Sequence, residues 1–224
     1  LFGFVEVQNP GSLRKRWKDP LDLLDQTFGV GSVWFSNQGN MSISHPAGSR
    51  RQCVEGLRGM VLQTPDQRKV CGADYMVPIY KDGKAETAKT CIDVFEFPNR
   101  PCELPVVWIA PSRANEVCQL EGKRLCTQDE WVLACRGNPE GPDLQEYAYG
   151  SDLDLTACHT RGQRSGKCDT NTVKSTWATC ATDTAPAGSF PRCRSRFGVF
   201  DQHGNVAEIM KRWDPERERT VTQL

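Results

Sequence analysis

The chain has 224 residues, 38% of them hydrophobic, and its 28 basic and 28 acidic side chains give a formal net charge of zero. A balanced charge favours neither nucleic acid nor an anionic membrane surface as a partner. The length is sufficient for one core-forming domain with or without an extension. No apolar run approaches the roughly 20 residues of a transmembrane helix, so we predict no transmembrane segment.

The first 70 residues differ in composition from the rest. A basic cluster at residues 14–18 precedes a short amphipathic stretch at residues 21–28 and a Gly-rich turn. Such a short stretch is marginal as an isolated helix, so we expect it to dock on another surface. Residues 1–70 are therefore predicted to form an N-terminal extension or partner-binding arm for protein partners. The basic cluster is interpreted as a solvated face.

From residue 71 the sequence changes to strand and helix patterns. The alternating run at residues 92–97 ends at Pro98 and predicts a half-buried strand. Ser112 is placed to cap a first helix that ends at Gly122. Thr127 and Glu130 form a capping box for a second helix. The apolar residues of both helices recur at spacings of three and four and predict a common core: Ala114, Val117, Cys118, Trp131, Ala134 and Cys135.

Eleven cysteines are many for this length, and none lies in a CxxC pair or at zinc-finger spacing. We predict disulfides that brace loop-rich structure, above all the irregular residues 138–190. Disulfides imply an extracytoplasmic location, which is periplasmic, cell-surface or secreted. The alternative is a cytosolic protein with buried free thiols. The odd count leaves one cysteine unpaired, or paired with another chain or with a missing C-terminal segment, and spacing alone does not give the connectivity.

An ordered series of motifs runs from Gly122 to Ile209: GKRLCTQDEWVLACRG, YAYG, AGSF and FGVFDQHGNVAEI. The series resembles the signature of formylglycine-generating enzymes and sulfatase-modifying factors, and CIDVFEFPN resembles that family's opening strand. The resemblance implies an α+β, C-type-lectin-like fold that is loop-rich and disulfide-stabilised, with two short helices and short antiparallel strands. It assigns residues 71–224 to a sulfatase-modifying-factor-like domain that lacks its C-terminal part.

The resemblance also implies a calcium site in FDQHGNVAE. The family's ligand positions fall on the side chains of Asp201 and Glu208 and on the carbonyls of Gly204 and Val206. Hard oxygen ligands of this kind suit Ca²⁺. The alternative is an ordinary turn in which Asp201 caps amides and Glu208 meets a cation. A second calcium position of the family is not expected here, because Cys158 replaces its Asn and a cysteine there is expected to form a bridge.

Catalysis in the family depends on a cysteine pair that binds Cu(I), a soft ion that selects thiolates. That pair follows a GGSW-like strand and would lie beyond Leu224, so copper is expected only if such a segment exists. Two departures from the family pattern favour an inactive relative: Ala207 and Ile209 replace aromatic residues, and Cys126 replaces a proline.

Three hypotheses about function follow. The first, which we favour, is a non-catalytic binding or structural module outside the cytoplasm, since a fold does not fix a function. The second is a copper-dependent oxidase that converts a sulfatase cysteine to formylglycine. The third is a subunit of a larger envelope assembly that attaches through residues 1–70.

Overall fold

The computed structural model describes residues 3–6, 42–107, 109, 111–160, 168–169, 171, 175, 178–214 and 219–223. The basic cluster and the amphipathic stretch of the predicted arm lie outside these residues. No helix within the described ranges is both long enough and apolar enough to cross a membrane.

Four α-helices have both ends in the described part of the chain, and a 3₁₀-helix covers Ala85–Thr87. The α-helices are α1 (Arg50–Gly56), α2 (Pro65–Cys71), α3 (Pro111–Leu120) and α4 (Gln128–Arg136). α3 and α4 confirm the two predicted helices and their apolar faces, since Ala114, Val117 and Ala134 are fully buried. The predicted cap was wrong, because α3 begins at Pro111 and Ser112 lies inside the helix. α1 and α2 are additional to the prediction.

Capping explains why such short segments are helical. Ser49, Thr64 and Thr127 precede α1, α2 and α4, and each accepts the N–H of a Gln or Glu whose side chain bonds back to the cap. α2 also begins with Pro65 and ends before Gly72, which has the left-handed conformation. Each such cap contributes on the order of 1 kcal/mol to helix stability.

The main sheet has four antiparallel strands in the order β2-β3-β1-β4. They are β1 (Gly3–Glu6), β2 (Met76–Ile79), β3 (Thr90–Asp93) and β4 (Arg124–Leu125). β1 pairs with β3 on one side and β4 on the other, so the first strand of the chain lies inside the sheet. A separate antiparallel pair joins β5 (Met210–Asp214) to β6 (Arg219–Gln223).

β3 and its continuation are buried throughout, which corrects the prediction of a half-buried strand. Every side chain from residue 90 to residue 97 is less than 9% exposed, and the regular strand ends at Asp93. The polar residues Asp93 and Glu96 of this segment are buried because they have charged or hydrogen-bonding partners. Asp93 bonds to Lys123 and Asn99, and Glu96 contacts a turn that follows Phe200.

Asp93 also fixes β1 in the sheet. Its Oδ2 accepts the N–H of Gly3 at 2.6 Å, while its Oδ1 lies 2.8 Å from Nζ of Lys123. A Cβ on Gly3 would approach Asp93 Oδ2 to 2.5 Å and would also meet the Lys123 side chain. Glycine is therefore required for β1 to dock against this ion pair.

The core is centred where residues 94–96 meet residues 199–201. The rings of Phe95 and Phe200 stack with centroids 5.1 Å apart, and the Phe200 N–H donates to the Val94 carbonyl at 2.8 Å. Trp131 packs against this cluster, as predicted. A second cluster lies under α3 and consists of Phe97, Val106, Ala114, Val117, Cys118, Leu125 and Ile209.

Four disulfides confirm the predicted covalent bracing. They are Cys53–Cys102, Cys71–Cys91, Cys158–Cys193 and Cys168–Cys180. The first two tie α1 and α2 to the region around β3, and the last two lie in the irregular second half. Three buried cysteines are free: Cys118, Cys126 and Cys135. The Cys53–Cys102 bridge and the pairing of β1 link the first 70 residues to the rest, and the division at residue 70 stays a prediction.

Candidate metal centre

The four predicted calcium residues lie on one turn, residues 201–208. The backbone is left-handed at Asp201 (φ 60°), Gly204 (φ 110°) and Asn205 (φ 59°). A Cβ on Gly204 would lie 2.5 Å from the carbonyl oxygen of His159. The turn therefore needs glycine at position 204 both for its conformation and to pass the His159 loop.

The two predicted carboxylates are buried. Asp201 is 2% exposed and Glu208 is 8% exposed. Oδ2 of Asp201 accepts the N–H of Gly188 at 2.6 Å, and this bond favours the ionised form. Burial nevertheless raises the pKa of Asp201 to about 7, with a smaller contribution from the charge of Glu208. Burial also raises the pKa of Glu208.

A third buried carboxylate, Glu96, lies against the same turn and was not predicted. Its Oε1 accepts the N–H of Val206 at 3.2 Å, and its Oε2 accepts Nδ2 of Asn205 at 2.6 Å. Burial raises the pKa of Glu96 well above its ordinary value, and the charges of Asp201 and Glu208 raise it further. The alternation of residues 92–97 predicted only a half-buried strand and gave no signal for this role of Glu96.

Asn205 ties the turn to two neighbouring loops. Its Oδ1 accepts the N–H of Ala185 at 2.8 Å, and its Nδ2 donates to the Ala185 carbonyl at 3.1 Å. Its own N–H donates to the carbonyl of His159 at 2.9 Å. These bonds fix the backbone between Gly204 and Val206.

The four predicted positions offer carboxylate and carbonyl oxygens, which are the donor types that calcium prefers. Asp201, Glu208 and Glu96 are buried, and burial raises the pKa of each of these carboxyls. Within the described ranges, no three or more His, Cys, Asp or Glu side chains are grouped so that they could hold a metal. The predicted site has only two such side chains, and the carbonyls of Gly204 and Val206 complete its predicted protein ligands.

At the family's second calcium position, the expected bridge of Cys158 is confirmed. Cys158 forms a disulfide with Cys193, and the side chain of Cys158 is 4% exposed. Nε2 of His159 lies 3.0 Å from the carbonyl of Asp183, and the N–H of Asp169 donates to Thr179.

None of the eleven cysteines, all of which lie in described residues, offers an accessible thiolate. Eight are in disulfides, and burial raises the pKa of Cys118 and Cys135 to about 12. Burial, followed by the charge of Glu208, raises the pKa of Cys126 as well. A thiol acts as a nucleophile or a copper ligand through its thiolate, so these three thiols are inert in the folded protein.

A cleft of about 400 Å³ lies beside the turn and is lined by Tyr149, Ser151, Asp152, Asp154 and Arg192, among others. The rings of Tyr147 and Tyr149 stack with centroids 5.2 Å apart, and His203 of the turn meets both rings edge-on. This contact joins one wall of the cleft to the turn.

Comparison with known proteins gives one family. Residues 37–223 match the family described as sulfatase-modifying factor enzyme 1-like domain. Formylglycine-generating enzyme of Thermomonospora curvata is 32% identical over 109 residues, which are 49% of this chain and 33% of that protein. Inactive C-alpha-formylglycine-generating enzyme 2 of Mus musculus is 30% identical over 110 residues, which are 47% of this chain and 31% of that protein.

Formylglycine-generating enzyme of Mus musculus is 30% identical over 109 residues, which are 49% of this chain and 27% of that protein. The matched part thus spans about a third or less of each of these relatives. No solved structure matches the chain.

Proposed function

Because the chain belongs to the sulfatase-modifying factor enzyme 1-like family, we propose that it is a non-catalytic module of that fold. In this proposal it serves outside the cytoplasm as a binding or structural component of an envelope or extracellular assembly. The relatives include a protein named inactive as well as proteins named as enzymes, so membership alone does not decide between the two.

The observation that carries this proposal is the packing at two positions where the sequence departs from the family pattern. The cysteines of residues 1–224 are each either bridged or buried as a free thiol. Two positions that depart from the family pattern are filled by packing residues: Cys126 is 1% exposed in the main core, and Ile209 is 4% exposed under α3. These side chains stabilise the fold and leave no reactive group at those positions.

A location outside the cytoplasm is supported by the same cysteines. Four disulfides form in this fold, and such bridges persist in oxidising compartments. The proposed compartment is a periplasm, a cell surface or the extracellular medium.

We further propose that the turn binds one calcium ion. Asp201 and Glu208 would hold it together with the carbonyls of Gly204 and Val206. The ion would supply positive charge where buried carboxylates repel one another, and would thereby stabilise the turn and the cleft wall that His203 contacts. In this role calcium is a structural ion that supports the binding surface.

Protein partners are proposed to bind through residues 1–70. Purified complexes would be cross-linked and the linked peptides identified by mass spectrometry. Cross-links concentrated in residues 1–70 support the arm, whereas cross-links concentrated around the cleft at Asp152 and Arg192 would move the partner site there.

The second candidate is a copper-dependent oxidase, which the relatives named formylglycine-generating enzyme favour. Its copper-binding cysteines would have to lie beyond Leu224. The test incubates the complete natural protein with Cu(I), oxygen and a cysteine-containing sulfatase peptide, and follows the peptide by mass spectrometry. Unchanged peptide supports the non-catalytic module, and conversion of the cysteine to formylglycine establishes the oxidase.

The calcium proposal is tested separately by thermal unfolding. Chelator-treated protein is expected to unfold at a lower temperature than the same protein with added calcium, because a ligand that binds the folded state stabilises it. Magnesium at the same concentration serves as a control for nonspecific salt effects. Equal unfolding temperatures with chelator and with calcium would contradict the calcium site.

A further inference from the structure

Exposed apolar surface is concentrated beside the cleft. Among the described residues, the exposed large hydrophobic side chains are Val54, Val61, Leu144, Leu153 and Leu155. Three of these five lie within residues 144–155, and Leu153 and Leu155 alternate with the cleft residues Asp152 and Asp154. Leu153 is 63% exposed and Leu155 is 49% exposed. Exposed apolar side chains that adjoin a cleft are typical of a surface that binds another molecule.

The walls of the cleft are held in place by contacts within the chain. Arg192 bonds through Nη1 to Asp154 at 2.5 Å and through Nη2 to Oγ1 of Thr156 at 2.8 Å. Oδ1 of Asp154 accepts the N–H of Thr156 at 2.8 Å, and the N–H of Asp154 donates to the Tyr149 hydroxyl at 3.4 Å. The Cys158–Cys193 disulfide directly follows Arg192 in the chain. A preformed site of this kind loses little conformational freedom when it binds.

The surface around the cleft is acidic. Residues 138–157 contain five carboxylates and no Lys or Arg. Three of these carboxylates form ion pairs, which are Asp143 with Arg196, Glu146 with Arg136 and Asp154 with Arg192. Glu140 and Asp152 are exposed and have no ion-pair partner in the described part of the chain, which leaves out the basic residues 161, 164 and 167. The uncompensated charge of the described surface is therefore negative.

A basic, partly apolar peptide segment matches this surface in charge and in shape. The cleft volume of about 400 Å³ is within the range of ligand pockets and is sufficient for one long side chain. The stem of a lysine or arginine can lie along Tyr149 and Ala157 while its charge meets Asp152. Apolar neighbours of that residue can cover Leu153 and Leu155. The same negative charge disfavours nucleic acid and anionic membranes as partners.

We propose that the cleft together with Leu153 and Leu155 forms a docking surface for a basic, partly apolar segment of a protein partner. One basic side chain of the partner enters the cleft, and its apolar neighbours pack on the two leucines. This inference rests on the proposed binding role of the module. It adds to the arm at residues 1–70 a second surface and names the chemistry of the partner segment.

The docking surface is tested by fluorescence anisotropy with a short labelled peptide of alternating leucine and lysine. Leu153→Ser removes apolar surface beside the cleft, and Val54→Ser makes a similar change on α1 at a side chain that is 50% exposed. Leu153→Ser is expected to weaken peptide binding about tenfold, because a leucine buried on binding contributes roughly that factor. Val54→Ser should bind the peptide like wild type.

Two further peptides separate charge from apolar contact. In one, serine replaces leucine, and in the other, glutamate replaces lysine. We expect both to bind wild type about tenfold more weakly than the leucine-lysine peptide, or less tightly still, because each lacks one of the two complementary features. Raising the salt concentration from about 0.05 M to about 0.5 M should weaken binding of the leucine-lysine peptide, since salt screens exposed charges.

The outcomes distinguish this inference from the proposals beneath it. No binding of the leucine-lysine peptide to wild type, or equal binding to wild type and Leu153→Ser, would overturn the docking surface. Equal binding of the glutamate peptide would overturn the basic partner. Leu155→Ser repeats the test at the second leucine, and its unfolding temperature and that of Leu153→Ser show whether the variants are folded. None of these results bears on the sulfatase peptide assay or on the cross-linking of residues 1–70.

Discussion

Glu130 performs two tasks at the start of α4. Its carboxylate accepts the N–H of Thr127 at 2.8 Å and pairs with both terminal nitrogens of Arg124, at 2.6 and 2.8 Å. Although burial opposes its charge, the bonds from Arg124 and Thr127 lower the pKa of Glu130 below its ordinary value of 4.5. A lowered pKa means that the ionised form stabilises the folded state at neutral pH.

Replacing Glu130 by Gln is therefore expected to lower the free energy of unfolding by about 1–2 kcal/mol at pH 7. This contribution is present above pH 4.5 and is lost as the pH falls through the lower pKa of the folded state, so the difference between wild type and variant shrinks in acid. Denaturant unfolding between pH 3 and pH 7 measures it.

The matched control is Glu116→Gln, which removes an exposed pair with Arg113 whose side chains are 47% and 48% exposed. Such pairs contribute about 0.5 kcal/mol or less. A Glu130→Gln variant no less stable than Glu116→Gln, or a difference from wild type that grows in acid, would contradict this account of Glu130.

Some side-chain contacts could be predicted from the sequence and others could not. The capping box of Thr127 and Glu130 was predictable, because both partners are three positions apart on one helix. The roles of Asp93 and Glu96 were not, because Lys123 lies 30 residues from Asp93 and Asn205 lies 109 residues from Glu96. Local bonds leave a pattern in the sequence, whereas long-range pairs between buried charges do not.

At the level of elements, the docking of β1 depends on Gly3. A methyl group there would meet the ion pair of Asp93 and Lys123. We expect Gly3→Ala to destabilise the fold by about 1–3 kcal/mol, as overpacking of a filled site does. Hydrogen exchange should become faster in β3 and β4 and stay unchanged in α3. Equal protection of β3 and β4 in both proteins would show that β1 tolerates the methyl group.

The disulfide Cys53–Cys102 joins α1 to the loop after β3. Removing it in Cys53→Ala/Cys102→Ala is expected to cost about 2–4 kcal/mol of unfolding free energy under non-reducing conditions. Cys135→Ala is the control, because it truncates a buried free thiol without breaking a bridge. A double variant as stable as the control would mean that this disulfide does not brace α1.

The short helices show why some elements escaped prediction. Ser49 and Gln52, and Thr64 and Gln67, form capping boxes that the sequence displays. Each helix has only seven residues, too few for an apolar stripe to repeat, so the caps were the one available signal. The packing and bridges that stabilise these helices are formed with distant residues.

For the molecule as a whole, thiol alkylation can count the free and the bridged cysteines. Folded, unreduced protein from its natural source should resist thiol alkylation, because the three free thiols are buried. Unfolding without reduction should expose three of the thiols within residues 1–224, and reduction should expose all eleven of that segment. More than three labelled cysteines from residues 1–224 in unfolded, unreduced protein would contradict the four bridges and the oxidising compartment proposed from them.

The family fold was predictable because its motifs are local and occur in a fixed order, and the same order located the turn at Asp201–Glu208. The strand order β2-β3-β1-β4 was not predictable, since it places the first strand between two strands from distant parts of the chain. The sequence also left the cysteine connectivity open, because only the folded backbone brings the partners together.

The calcium site proposed for the turn at residues 201–208 uses the buried carboxylates of Asp201 and Glu208. Calorimetric titration of chelator-treated protein with calcium tests it most directly, with Asp201→Asn as the variant and Asp152→Asn, an exposed residue of the cleft, as its control. The account predicts one ion bound per chain in wild type and in Asp152→Asn, and loss of that binding in Asp201→Asn. Absence of binding in wild type, or equal binding in Asp201→Asn, would contradict it.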